Sequence, residues 1–177
     1  MRAAVCRDFD QPLAIEILDD PVPAAGEVLI DVAASGITFV DGLIVTGKYQ
    51  IRPTLPHIPG FEVSGVVSAV GPGVTEWAPG DRVFATTGLE GGGYADRLVI
   101  GAERVYRLPE NMSHGQAATF VQSYTTALFS LAYRMRLEAG QTLLVLGASG
   151  GVGRAAVDVG KALGATVIAA ASSDVRL

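Results

Sequence analysis

Apolar and polar residues alternate in short runs through the first part of the chain, at Leu13–Leu18, Glu27–Ala34, Ser64–Val70, Asp81–Ala85 and Tyr94–Ile100. A period of two puts every second side chain on one face of a strand. The runs are separated by turn-forming stretches, among them Pro21-Val22-Pro23, Gly71-Pro72-Gly73, Pro79-Gly80 and Gly91-Gly92-Gly93. Many short strands punctuated in this way predict a barrel-like or sandwich-like β domain. The period changes near Asn111. From Ser113 to Arg136 the chain lacks proline, and Gln116, Ala117, Ala118, Val121, Leu128, Leu131 and Ala132 fall at helical spacing. Ser113 is the expected N-cap and Gly140 the expected C-cap, while Gly115 and the Ser123–Thr126 stretch favour two successive helices over one. After Gly140 a third pattern begins. Thr142–Leu146 is an unbroken apolar run, as a buried parallel strand requires. An amphipathic helix follows, with Val152, Ala156, Val159 and Leu163 on one face and Arg154, Asp158 and Lys161 on the other. Gly164 ends it, and Ala165–Ala170 reads as a second buried strand. This is one β-α-β unit.

The connection inside that unit is Leu146-Gly147-Ala148-Ser149-Gly150-Gly151-Val152-Gly153. A glycine loop between an apolar strand and an amphipathic helix suits the pyrophosphate of a dinucleotide. Gly147 lets the chain leave the strand tightly, Gly150 and Gly151 let phosphate approach the main chain, and Gly153 allows close helix–strand packing. The helix N-terminus adds roughly half a positive charge and unpaired N–H donors. No Lys-Ser/Thr pair follows the last glycine, so a mononucleotide P-loop is excluded. An NAD site usually carries Asp or Glu at the end of the second strand. Here that place reads Ala170-Ala171-Ser172-Ser173, with Arg176 placed to meet a 2′-phosphate, so Ser172, Ser173 and Arg176 favour NADPH. Asp174 carries the competing NAD reading.

Composition narrows the function classes. The 13 basic and 18 acidic residues give a net charge of −5. Without clustered Lys or Arg the chain is not expected to bind nucleic acid or an anionic membrane. No apolar run reaches the ~20 residues of a membrane span. The start of the chain meets charge too early for a signal peptide. Cys6, the one cysteine, builds neither a disulfide nor a cysteine zinc site, which points to a reducing cytoplasm. The 22 glycines follow no triplet repeat and mark turns and close approaches.

Taken together, several ordered motifs resemble the medium-chain dehydrogenase/reductase superfamily, in its zinc-independent quinone oxidoreductase-like branch. They are Pro23–Ile30, Ala34–Asp41, Pro59–Val67, Val70–Val74, Pro79–Val83, Gly93-Tyr94-Ala95 and the glycine loop. The resemblance implies a mixed β and α/β fold: a GroES-like catalytic domain over 1–112, connecting helices over 113–139, and an incomplete Rossmann NAD(P)-binding domain over 140–177, with the active site in the cleft between the domains. It places Thr38, Phe61 and Gln122 where zinc-dependent relatives carry metal ligands. A hydroxyl, a phenyl ring and an amide cannot make a tight tetrahedral zinc site, and His57 and His114 are too few and too far apart in sequence. No metal is therefore expected.

Without a Lewis acid an alcohol is hard to oxidise, whereas an electron-poor acceptor takes a hydride readily. A quinone or an α,β-unsaturated carbonyl is the expected substrate, and NADPH the expected reductant. The resemblance puts Tyr49 at a cleft-facing tyrosine whose phenol can bond a carbonyl oxygen, and makes Thr38 and Asp41 further substrate-side candidates. Asp41 reads either as a helix cap or as a proton-transfer group, and Glu62 either as a cleft hydrogen-bonding group or as a buried partner. Thr126 falls where relatives contact the nicotinamide amide. A dinucleotide-binding domain has about six strands, and this chain shows the first two. It therefore reads as the N-terminal half of a reductase that is a homo-oligomer in its full-length form, inactive alone. The alternative is a non-catalytic GroES-like binding or assembly module with a partial nucleotide-binding edge.

Overall fold

A computed structural model of the chain describes residues 1–173. They form two compact units, divided between Thr119 and Phe120. Among the described residues no helix is long and apolar enough to cross a membrane.

The first unit is built on antiparallel strands. β1 (Arg2–Val5) and β2 (Ala14–Ile17) form a two-stranded sheet. β3 (Glu27–Ser35), β4 (Glu62–Val70), β5 (Arg82–Thr86), β6 (Arg97–Gly101) and β7 (Val105–Arg107) form a five-stranded sheet in the order β6-β3-β4-β5-β7. The period-two runs become β2 to β6 with small shifts at their ends. Alternation selects the core, in which Val28, Ile30, Val63, Val67, Val83, Ala85, Leu98 and Ile100 pack together. The β3–β4 ladder slips between Leu29 and Ile30 and again between Val32 and Ala34. These bulges increase the local twist near the end of β3 that leads into the candidate site. Between β3 and β4 lies the helix α1 (Phe39–Val45).

At its start β4 is buried on both faces, including Glu62 and Ser64. The second face is covered by α2 (His114–Ala117), with Ala117 and Ala118 buried. Ser113 caps α2 through a reciprocal box with Gln116. His114 Nδ1 lies 2.8 Å from Ser64 Oγ, which donates to the Val83 carbonyl. His57 pairs its main chain with Cys6. Burial lowers the ionisation of His57 from the ordinary histidine range, and its Nε2 has no hydrogen-bond partner among the described residues. A histidine held neutral by folding binds fewer protons than in the unfolded chain. Its contribution is therefore complete above the ordinary histidine range and declines as pH falls through and below it. The urea midpoint is expected to fall between pH 7.5 and 5, and the fall to be shallower in His57→Gln. An equal slope in the variant would remove His57 from the account.

The second unit runs through α3 (Val121–Leu128), a π-helical stretch over Phe129–Arg134, β8 (Thr142–Leu146), α4 (Gly151–Ala162) and β9 (Thr166–Ala170). β8 and β9 are parallel, with Leu144 opposite Ile168. The helical run stops at Met135 because Arg136 adopts a left-handed conformation, φ 54°. The expected C-cap Gly140 instead turns the chain into β8, with φ 83°. Two further expectations change. The apolar run of β8 is buried on one face only: Leu143 and Val145 pack under α4, while Leu144 and Leu146 are 57% and 77% exposed. Ile168 on β9 is likewise exposed. Val152 also leaves the expected apolar face, because it sits in the first turn of α4 beyond the strands and is 46% exposed. The buried face is made by Ala155, Ala156, Val159, Gly160 and Leu163.

Candidate functional site

In the second unit, β8 ends and α4 begins within a few residues, which only a glycine-rich turn permits. Gly147 takes φ 69°, a conformation that side chains resist. The Ala148 N–H bonds the Ala170 carbonyl at 3.0 Å, tying the loop to the end of β9. At Gly153 a Cβ would stand 2.2 Å from the Gly147 carbonyl oxygen, so this glycine sets how closely α4 approaches the loop. The Gly150 N–H is used internally, at 3.0 Å from the Gly147 carbonyl. The donors left to a ligand are therefore those of the first turn, Gly151, Val152 and Gly153, which have no preceding helical turn to bond. Gly150 is the N-cap without a side-chain cap, and no acidic residue lies in the first turn. A Cβ on Gly151 would lie 3.1 Å from Ser123 Oγ, so that glycine also makes room for α3. Tyr124, one residue on, donates a 2.6 Å hydrogen bond to Asp158 on α4.

A groove beside this helix end is lined by Leu146, Gly147, Ser149, Gly150, Ala170, Ala171 and Ser172. A positive helix end, a glycine floor and a hydroxyl at the strand end form a donor set that fits a phosphorylated dinucleotide. Of the residues expected here, Gly147, Ser149, Gly150 and Ser172 line the groove, and Gly151, Val152 and Gly153 form the adjoining turn. Ser173 follows Ser172 directly. Thr126 is exposed on α3 and does not line the groove. Arg176 and Asp174 lie outside the described residues.

In the first unit Thr38 and Asp41 form a reciprocal box at the start of α1. The Asp41 carboxylate accepts the Thr38 N–H at 2.8 Å and the Thr38 hydroxyl at 2.6 Å through one oxygen, and the Gly60 N–H at 3.2 Å through the other. Asp41 is 2% exposed. Its helix-capping alternative is thus what the geometry displays. Tyr94 was legible only as part of a motif, yet its hydroxyl lies 3.4 Å from the Gly36 carbonyl and also faces Asp41. Burial first, then the Asp41 charge and hydrogen bond, push its ionisation far up. Gly60, with φ 106°, leaves the space that the Tyr94 ring takes, since a Cβ there would lie 2.7 Å from it. Tyr49 is half-buried, bonds Leu43 through its main chain, and has no hydroxyl partner among the described residues. Ile37 and Phe39, on either side of Thr38, are exposed. Glu62 is buried at the start of β4. Among the described residues no three His, Cys, Asp or Glu side chains gather where they could hold a metal ion.

Residues 24–110 match the alcohol dehydrogenase GroES-like domain. The chain is 41% identical over 175 residues to a rat quinone oxidoreductase-like protein 2, covering 98% of this chain and 49% of the rat protein. A quinone oxidoreductase from Thermus thermophilus, solved also in complex with NADPH, superposes with a TM-score of 0.88 at 36% identity, over 100% of this chain and 55% of that one. An NAD-dependent alcohol dehydrogenase gives a TM-score of 0.95 at 31% identity, over 100% of this chain and 60% of that one. The chain spans about half the length of the curated relatives it matches. GroES-like strands followed by the opening β-α-β of a Rossmann fold, with this set of relatives, point to one group. The chain is similar to the quinone oxidoreductase-like members of the medium-chain dehydrogenase/reductase superfamily, over the N-terminal half of their length.

Proposed function

We propose that this chain is the N-terminal half of an NADPH-dependent reductase that passes a hydride to a quinone or an α,β-unsaturated carbonyl without zinc. In this reading residues 1–112 are the catalytic domain, 113–139 the connecting helices and 140–177 the start of the nucleotide-binding domain. The observation that carries it is the uncapped, glycine-built N-terminus of α4, which opens on a groove ending at Ser172. The first turn of α4 holds the pyrophosphate, Ser172, Ser173 and Arg176 receive the 2′-phosphate, and Thr126 meets the nicotinamide amide. The bound dinucleotide supplies the hydride. The Tyr49 phenol donates a hydrogen bond to the acceptor's oxygen, and Thr38 stands on the substrate side. Thr38 and Phe61 offer a hydroxyl and a ring where zinc would need thiolate or imidazole, so the acceptor must be electrophilic without metal. The full-length protein is a cytoplasmic homo-oligomer in this account. The exposed Leu144, Leu146 and Ile168 favour a second reading, a non-catalytic module whose partial nucleotide-binding edge pairs with another chain.

Gly150 separates the two readings. A Cβ there meets nothing closer than 3.5 Å, and its φ of −78° is open to any residue. Gly150→Ala is therefore expected to unfold at the wild-type temperature while binding NADPH about tenfold more weakly, because the methyl stands where phosphate approaches. The measurement is NADPH fluorescence titration on this chain and on any longer chain containing it, with turnover of a quinone and an enone. No NADPH binding in either chain rejects the reductase. A preference for NADH rejects the role of Ser172, Ser173 and Arg176, and stoichiometric zinc in the purified protein rejects the metal-free reading.

A further inference from the structure

We propose that Thr38 meets a bound ligand as a hydrogen-bond acceptor only, and that Asp41 is the positioning residue that makes it so. A threonine hydroxyl has one proton and two lone pairs. The Thr38 proton points at the Asp41 carboxylate, 2.6 Å away. One lone pair takes the Asp41 N–H at 3.3 Å. What remains for a ligand is a single lone pair. The arrangement is held from outside the box as well. The Gly60 N–H fixes the second carboxylate oxygen at 3.2 Å, and the Tyr94 hydroxyl lies between Asp41 and the Gly36 carbonyl. A Cβ on Gly36 would come 2.1 Å from the Ala118 carbonyl oxygen, so the main chain leading into Thr38 cannot shift toward α2. A buried carboxylate with this many donors resists turning away from the hydroxyl.

Thr38 therefore selects ligand groups that carry O–H or N–H, and gives nothing to a bare carbonyl oxygen. This deepens the reductase reading and rests on it for the placement of Thr38 at the substrate. In the quinone couple, Thr38 favours the hydroquinone, whose hydroxyl it accepts, over the quinone, which has no proton to give.

Two measurements decide the matter. In proton NMR of this chain, the Thr38 hydroxyl is expected as a slowly exchanging resonance, absent in Thr38→Val and broadened in Asp41→Asn. A Thr38 hydroxyl exchanging at the rate of a free one overturns the proposal whether or not the chain is part of a reductase. In ligand titrations, Thr38→Val is expected to weaken durohydroquinone binding about tenfold and duroquinone binding less than twofold, with Thr38→Ser restoring the hydroquinone. Equal losses for both ligands, or a larger loss for the quinone, also overturn it. Failure of the wild type to bind either ligand would reject the substrate reading instead, and leaves the hydroxyl measurement to decide the acceptor role.

Discussion

Gly153→Ala is expected to destabilise the second unit by about 3 kcal/mol and to remove measurable NADPH binding. The added methyl would stand 2.2 Å from the Gly147 carbonyl oxygen and 2.9 Å from both the Gly147 carbonyl carbon and the Ala148 Cα. All three are main-chain atoms of a loop pinned to β9 through the Ala148–Ala170 hydrogen bond, so none can swing aside as a side chain would. Helix α4 must retreat instead. Its retreat opens the packing of Leu143, Val145 and Ala148 against its inner face and carries the first-turn N–H groups away from the groove. Gly160→Ala provides the contrast. Its methyl would meet Leu143 Cδ2 at 2.7 Å and Val167 Cγ2 at 3.1 Å, both ends of side chains that can rotate, and the expected loss is about 1 kcal/mol. Urea unfolding followed by circular dichroism, with NADPH titration, reads both variants. If Gly153→Ala unfolds within about 0.5 kcal/mol of wild type, the close approach is not what that glycine serves.

The two sites differ in how far the sequence revealed them, and the difference is one of distance along the chain. The glycine loop is local. Gly147, Gly150, Gly151 and Gly153 sit in one turn, and the strand before it and the helix after it announce themselves by period. What periodicity could not supply was the division of labour, with the Gly150 N–H consumed by Gly147 and Gly151 shared with Ser123. The Thr38 site is assembled from remote segments. Thr38 and Asp41 are near neighbours, but Gly60 and Tyr94 reach them only through the β3–β4 ladder and the loop before β6. Tyr94 therefore read as a motif letter and not as a partner.

The strands follow the same rule. β2 to β6 carry a visible alternation, whereas β7 has three residues, too short for a period to show, and β1 has three apolar residues in succession after Arg2. β1 is defined by its neighbours: it pairs with β2 and bridges Ala95. Buried polar residues escape a reading by hydropathy for a related reason. Ser64 and Thr87 are interior because Val83 and Gly60 carbonyls await their hydroxyls, and partners of that kind belong to the fold, not to the local pattern. The open face of β8 shows the converse. Leu144 and Leu146 look interior by composition, and only their exposure distinguishes the covered face of the pair from the uncovered one.

Asp41→Ala is expected to cost the first unit about 3 kcal/mol, the larger share coming from groups left behind, not from the cap itself. Loss of a capping side chain typically costs about 1 kcal/mol. Here the same truncation strands the buried Gly60 N–H and takes the partner from the partly buried Thr38 N–H, and a buried donor without a partner adds about 1 kcal/mol or more. Asp41→Asn keeps an oxygen for one of these donors, and its loss is expected to be about half as large. The Gly60 N–H is the informative probe, because it belongs to a different segment from α1. In Asp41→Ala its hydrogen exchange should accelerate together with that of Thr38, while the amides of β5 and β6 keep their protection. Thermal unfolding and site-resolved exchange measure the two effects separately. Unchanged protection at Gly60 would show that the carboxylate caps α1 alone and does not join it to the Pro59-Gly60 turn. Accelerated exchange there identifies Asp41 as the residue through which the helix, that turn and Thr38 keep a common geometry.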